Sequence, residues 1–166
     1  VLDQLKDIDF VPDTVLCCCG GGGLISGLSI ALKSHWDNLN IHPVEPEFWD
    51  DTRISLKEKK RHIIINKKSS ICDALLSETP GELTFRINKK LLSFGISVTD
   101  QQAMEAIHTA YEYLKLVLEP GGAVALAAAL NNSEVVKNKD VLVILSGGNI
   151  DKKIFLHSLK TRIQKI

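Results

Sequence analysis

Short apolar runs alternate with longer stretches of helical periodicity along this chain. The short runs predict strands at Thr14–Cys19, Ile41–Val44, Ile63–Ile65, Gly95–Val98 and Val141–Leu145. The longer stretches predict helices at Leu24–Ser34, Asp50–Lys57, Gly81–Leu92, Asp100–Leu116, Gly121–Leu130 and Lys152–Lys160. Thr99 stands just before one of them and is a suitable N-terminal cap, since its hydroxyl can accept from a first-turn N–H. Such alternation predicts an α/β fold of three layers, αβα, with a mostly parallel sheet covered on both faces. The basic segment Leu56 to Ser70 reads as a solvated loop or a sheet edge.

One junction in this pattern carries chemistry. The apolar run ending Cys17-Cys18-Cys19 passes directly into Gly20-Gly21-Gly22-Gly23-Leu24 and then into a helix. Glycines without Cβ let backbone N–H groups converge on an anion. The helix start adds unpaired donors and the positive end of its dipole. A phosphate-binding turn is therefore expected. Four adjacent glycines form a wide cup, better suited to a phosphate monoester than to a bridged pyrophosphate.

Composition narrows the partners. A chain of 166 residues suits one domain with a real core. Twenty basic and twenty acidic side chains balance, which argues against nucleic acid or an anionic membrane as partner. No apolar run is long enough to span a bilayer, and no signal-peptide pattern opens the chain. Cys17, Cys18, Cys19 and Cys72 show no zinc spacing and read as small buried apolar residues of a reducing, cytoplasmic protein. The five histidines form no ligand spacing. The chain opens on Val1 rather than Met, as a piece of a longer protein would.

Two readings of the glycine turn compete. In a dinucleotide fold, Glu45 would be the ribose-binding acid about twenty residues after the turn. The spacing, however, is not G-x-G-x-x-G. The second reading joins distant segments: Gly20-Gly21-Gly22-Gly23-Leu24, Val44-Glu45-Pro46-Glu47-Phe48-Trp49-Asp50-Asp51, Ile71-Cys72-Asp73-Ala74, Glu119-Pro120-Gly121-Gly122-Ala123 and Leu145-Ser146-Gly147-Gly148-Asn149-Ile150-Asp151. In that order they resemble the C-terminal part of the large domain of a fold-type II (tryptophan synthase β-like) pyridoxal-phosphate enzyme. Within that fold they are most similar to the threonine dehydratase (threonine ammonia-lyase) and serine racemase group.

The resemblance covers nearly the whole chain and implies a role for each segment. Gly20, Gly21, Gly22, Gly23 and Leu24 would give N–H groups to the phosphate of pyridoxal 5'-phosphate. Ser146 would face the pyridine nitrogen, with Gly147 and Gly148 leaving room for the ring. Glu119 would sit near the active site, tuning the cofactor or orienting substrate, or would simply favour a helix N-terminus. Glu45, Asp51 and the main-chain carbonyl of Trp49 match a site for magnesium or calcium in the racemase-like branch. The simpler alternative is that Glu45 ends a strand and Asp50 and Asp51 begin a helix. Ala74 departs from the usual Asp-Gly.

The family's cofactor-holding lysine and its asparagine loop have no counterpart here. The resemblance thus implies that residues 1–166 are a single partial domain without a catalytic residue of its own, inactive when isolated. The intact enzyme is expected to be a homodimer that removes water from L-threonine or L-serine, giving a 2-keto acid and ammonia. Racemization or hydroxyaspartate dehydration is the alternative within the branch. A nucleotide-binding domain without pyridoxal chemistry, or a non-catalytic module, is the alternative outside it. Only residues 152–166 follow the last motif, so no allosteric domain and no feedback inhibition are expected.

Overall fold

The β-forming apolar run after Asp13 becomes the middle of the sheet. The computed structural model describes residues 1–161. Strand β1 (Thr14–Cys18) pairs in parallel with β2 (Asn40–Pro46) on one side and β4 (Val141–Val143) on the other. Strand β3 (Ile96–Val98) lies outside β2, so the order is β3-β2-β1-β4, all parallel. Val15 faces Ile41 across one pairing and Leu142 across the other.

Alternation along β1 builds the two cores. Successive side chains of a strand point to opposite faces. Val15, Cys17 and Cys19 therefore pack with Ile25 and Leu32 of α2 (Gly23–Lys33), with Leu5 of α1 (Leu2–Asp7) at the margin. Leu16 and Cys18 point the other way and pack with Ile107 of α5 (Asp100–Thr109) and Val124 of α6 (Pro120–Asn131). Helix α6 buries Ala123, Val124, Ala125, Ala127 and Ala128, small residues that let it approach both β1 and α5. Each fully buried Val, Leu or Ile contributes about 1.5–3 kcal/mol. All four cysteines are buried and free, as the apolar reading expects. Helix α3 (Asp51–Glu58) packs on β2 and α4 (Glu82–Leu91) on α2 and α3, while α7 (Ser133–Val136) and α8 (Lys152–Ser158) accompany α6 and α5. No helix among the described residues is long and apolar enough to cross a membrane.

Three expectations change. Ile63–Ile65 is no strand but part of a loop. Only Ile64 turns inward, donating its N–H to Glu78 O at 2.8 Å, while Ile65 is 84% exposed. The place beside β2 belongs to β3, and the basic segment around these isoleucines is a loop crossing the surface. The helix expected over Asp100–Leu116 stops being α-helical at Thr109. A wide turn of π geometry follows over Ala110–Leu114 and ends at Lys115, whose φ is 58°. The last strand, Val141–Val143, is shorter than its apolar run, although Ile144 N still donates to Leu16 O of β1 at 2.9 Å.

Thr99 caps α5 as expected. Its hydroxyl accepts from Gln102 N at 3.2 Å, and Gln102 Oε1 accepts from Thr99 N at 2.9 Å. This reciprocal pair satisfies two donors that the helix start would leave unpaired. Thr99→Ala is expected to lower unfolding free energy by about 1 kcal/mol, and Thr99→Ser to restore most of it, read by urea denaturation.

Candidate functional site

Parallel strands place their C-terminal ends along one edge, and the sequence-predicted residues gather there. β1 ends at Cys18, the chain turns through Cys19–Gly22, and α2 begins at Gly23. Gly22 is the N-cap of α2 with φ of 90°, a left-handed conformation that disfavours any side chain. Among the described residues, the N–H groups of Gly20 through Leu24 have no acceptor. A Cβ on Gly23 would meet nothing within 4 Å, so the cup is open on that side. A Cβ on Gly20 would stand 3.4 Å from Ala74 O, on the 3-10 turn Asp73–Leu75. Converging, unpaired backbone donors at a helix start are the chemistry a phosphate dianion requires.

Ser146 joins this end of β1 from the neighbouring strand. Its Oγ lies 3.1 Å from Cys18 Sγ, two residues before the glycine turn begins. Glu119, N-cap of α6, donates its N–H to Gly147 O at 3.0 Å, and its Oε2 accepts from Asn149 N at 3.1 Å. The glycines after Ser146 allow close packing. A Cβ on Gly147 would stand 2.5 Å from Glu119 Oε1, and one on Gly148 would stand 2.6 Å from Val117 O. Gly122 is just as constrained, since its Cβ would lie 2.5 Å from Gly147 O. Ser146 is thus held by tight packing against the start of α6.

Glu45 and Asp51 also come together. Glu45, at the end of β2, is fully buried, and its two oxygens accept from Thr52 N at 2.9 Å and Arg53 N at 2.7 Å. It caps α3 from outside and is not free to meet a ribose, which removes the dinucleotide reading. Burial, with the nearby Asp51 carboxylate, holds Glu45 well above the usual carboxylate range. Burial likewise pushes Asp51 up to about 7, and both its oxygens are buried without a partner among the described residues. Burial and the Glu45 carboxylate raise the thiol of Cys19, which lies 3.4 Å from Thr52 Oγ1. Trp49 donates from its indole to Lys68 O at 2.7 Å. Among the described residues, no group of three or more His, Cys, Asp or Glu side chains could hold a metal ion.

Sequence reasoning missed the support beneath the glycine turn. Thr84 of α4 and Ser26 of α2 reach its carbonyls, and Asn88 of α4 holds the Ser26 hydroxyl. One signal was available: Asn88, fully buried, stands three residues after buried Phe85 on the inward face of α4, where an apolar residue would be expected. Surface hollows also lie elsewhere. One of about 560 Å³ sits at the opposite end of the strands, by Asp13, Asn40 and Lys139.

A family model described as "Pyridoxal-phosphate dependent enzyme" matches residues 1–147. The L-threonine ammonia-lyase of Thermotoga maritima is 36% identical over 151 residues, covering 91% of this chain and 36% of that protein. The L-threo-3-hydroxyaspartate ammonia-lyase of Saccharomyces cerevisiae is 34% identical over 155 residues, covering 92% of this chain and 45% of that protein. The structure of maize serine racemase superposes with a TM-score of 0.84 at 32% identity, covering 96% of this chain and 51% of that one. The chain therefore spans about half the length, or less, of the relatives it matches.

The last two glycines of the run, Gly22 and Gly23, separate experimentally. At Gly22 a Cβ would lie 2.8 Å from Asn88 Nδ2 and 3.0 Å from Thr84 Oγ1, in a left-handed conformation. Gly22→Ala is expected to destabilise the fold by about 1–3 kcal/mol. Gly23→Ala, pointing into open space, is expected to leave the urea midpoint unchanged or slightly raised.

Proposed function

The chain belongs to the pyridoxal-phosphate dependent enzyme family, and from that premise we propose that it supplies the cofactor-phosphate side of a lyase acting on a hydroxy amino acid. The observation that carries this reading is the row of N–H groups from Gly20 to Leu24 without acceptors. In our reading they hold the phosphate of pyridoxal 5'-phosphate, and Ser146 Oγ faces the pyridine nitrogen. A hydroxyl brings no charge to that nitrogen, so it does not force the ring to be protonated. Glu119, locked between Gly147 and Asn149, orients the turn that carries Ser146.

The bound cofactor supplies an electron sink for the α-carbon of an amino acid. The reaction we propose is β-elimination of water from L-threonine or L-serine, yielding a 2-keto acid and ammonia. Relatives named as ammonia-lyases support it. Racemization is the second reading, favoured by the likeness to maize serine racemase, since both reactions begin with loss of the α-proton. We assign no catalytic residue within 1–166. The proton-abstracting lysine of the family has no counterpart here, so this length of chain alone is expected to be inactive, and the working enzyme is proposed to be a homodimer.

We further propose that Glu45, Asp51 and the Trp49 carbonyl hold magnesium or calcium as a structural ion. The unpartnered, buried oxygens of Asp51 support this, and Glu45 retains lone pairs beyond the two it gives to α3. Hard cations take such oxygens, and the ion would relieve the repulsion between the two carboxylates. Either ion is expected to raise the melting temperature of the wild type but not of Asp51→Asn. An equal rise in both proteins would remove this site.

Two measurements test the main reading. Pyridoxal phosphate should raise the melting temperature of the chain while pyridoxal does not, by about 2.7 kcal/mol of stabilisation at a hundredfold excess over Kd. After borohydride reduction with pyridoxal phosphate, peptide mass spectrometry should find no stoichiometrically labelled lysine. One fully labelled lysine would show that the chain carries its own cofactor-holding residue and would refute the partial-domain reading.

A further inference from the structure

The glycine turn is held from behind by one helix. Thr84 Oγ1, on α4, donates to Gly21 O at 2.7 Å, and Gly81 N reaches the same oxygen at 3.3 Å. Gly81 O lies farther from that hydroxyl, at 3.1 Å, so its single proton goes to Gly21. The neighbouring glycines make space for it. A Cβ on Gly81 would stand 2.7 Å from Thr84 Oγ1, and one on Gly22 would stand 3.0 Å from it.

The next carbonyl is held by the first turn of α2, where Ser26 N donates to Gly22 O at 3.0 Å, and α4 supports that contact through the Ser26 hydroxyl. Ser26 Oγ lies 2.7 Å from Gly22 O and 2.8 Å from Asn88 Oδ1, while Asn88 Nδ2 is buried without an acceptor among the described residues. One hydroxyl proton cannot serve two carbonyl oxygens. With the Asn88 amide turned over, Nδ2 donates to Ser26 Oγ and Ser26 donates to Gly22 O, so the one hydroxyl proton has one acceptor. Thr84 and Asn88 are four residues apart, on one face of α4.

A trans peptide is planar, so its C=O and the N–H that follows point in opposite directions. Holding Gly21 O toward α4 and Gly22 O toward Ser26 of α2 therefore aims the N–H groups of Gly22 and Gly23 the opposite way, into the cup. We propose that Thr84 is the positioning residue of the phosphate site, with Asn88 acting through Ser26 as its partner. Neither residue touches the phosphate in this account. They set which backbone donors do, so the inference rests on the reading that the turn holds a phosphate.

The test is an amide-resolved NMR titration of the full chain with inorganic phosphate and with pyridoxal phosphate. In the wild type, the Gly22 and Gly23 amides should shift most. Thr84→Val keeps the shape but loses the donor, and is expected to weaken both ligands about ten-fold. Thr84→Ser should bind within roughly two-fold of wild type. A folded Thr84→Val that binds like wild type would overturn the proposal. So would a wild type that binds phosphate with the Gly22 and Gly23 amides unmoved, an outcome that holds even if Thr84→Val does not fold. A wild type that binds neither ligand would take down the phosphate reading itself, and this proposal with it.

Discussion

Strand β1 has a hydrogen-bonded neighbour along each edge and packed helices on each face. A strand enclosed in this way meets solvent only where the chain leaves it. Because β2 and β4 run parallel to it, their ends open toward the same side. The glycine turn after Cys18, the Glu45 carboxylate at the end of β2 and the Ser146 hydroxyl after β4 share that edge for this reason alone. Residues far apart in the chain need no special device to meet there. The topology delivers them, and ligands of open α/β sheets bind outside the carboxyl ends of strands on the same grounds.

The alternation of short apolar runs with helical periods was enough to read the α/β class, most of the elements and the cap at Thr99. Failures came where tertiary context overrules local pattern. Ile63, Ile64 and Ile65 are β-branched and read as a strand, yet the sheet offers them no partner once β3 lies beside β2. The helix after Asp100 has no breaker before Lys115, so its widening at Ala110 could not be seen in the residue types. The candidate site was legible for a different reason. Backbone donors bind phosphate, and glycines announce a backbone that must be approached closely. Side chains that hold the backbone in place left fainter marks. Thr84 looks like any first-turn threonine, and Asn88 stands out only once the inward face of α4 is known.

Several glycines outside the turn also serve close approach rather than flexibility. Gly122, Gly147 and Gly148 let the start of α6 and the segment after β4 touch with almost no gap. The Glu119 carboxylate fills the space that a side chain on Gly147 would take. Close packing of this sort leaves Ser146 few alternative positions, which matters more for a hydroxyl proposed to face the pyridine nitrogen than for a group that only covers apolar surface.

Cys17 and Cys19 point beneath α2, whereas Cys18 points beneath α5 and α6. All three thiols are free and buried, and a thiol reacts only when reagent reaches it. Transient loosening of the α2 layer bares one set, and loosening of the α5–α6 layer bares the other. The central strand therefore carries a separate native reporter for the breathing of each face of the sheet, and the rates at which the two faces open can be told apart in one molecule with no label introduced.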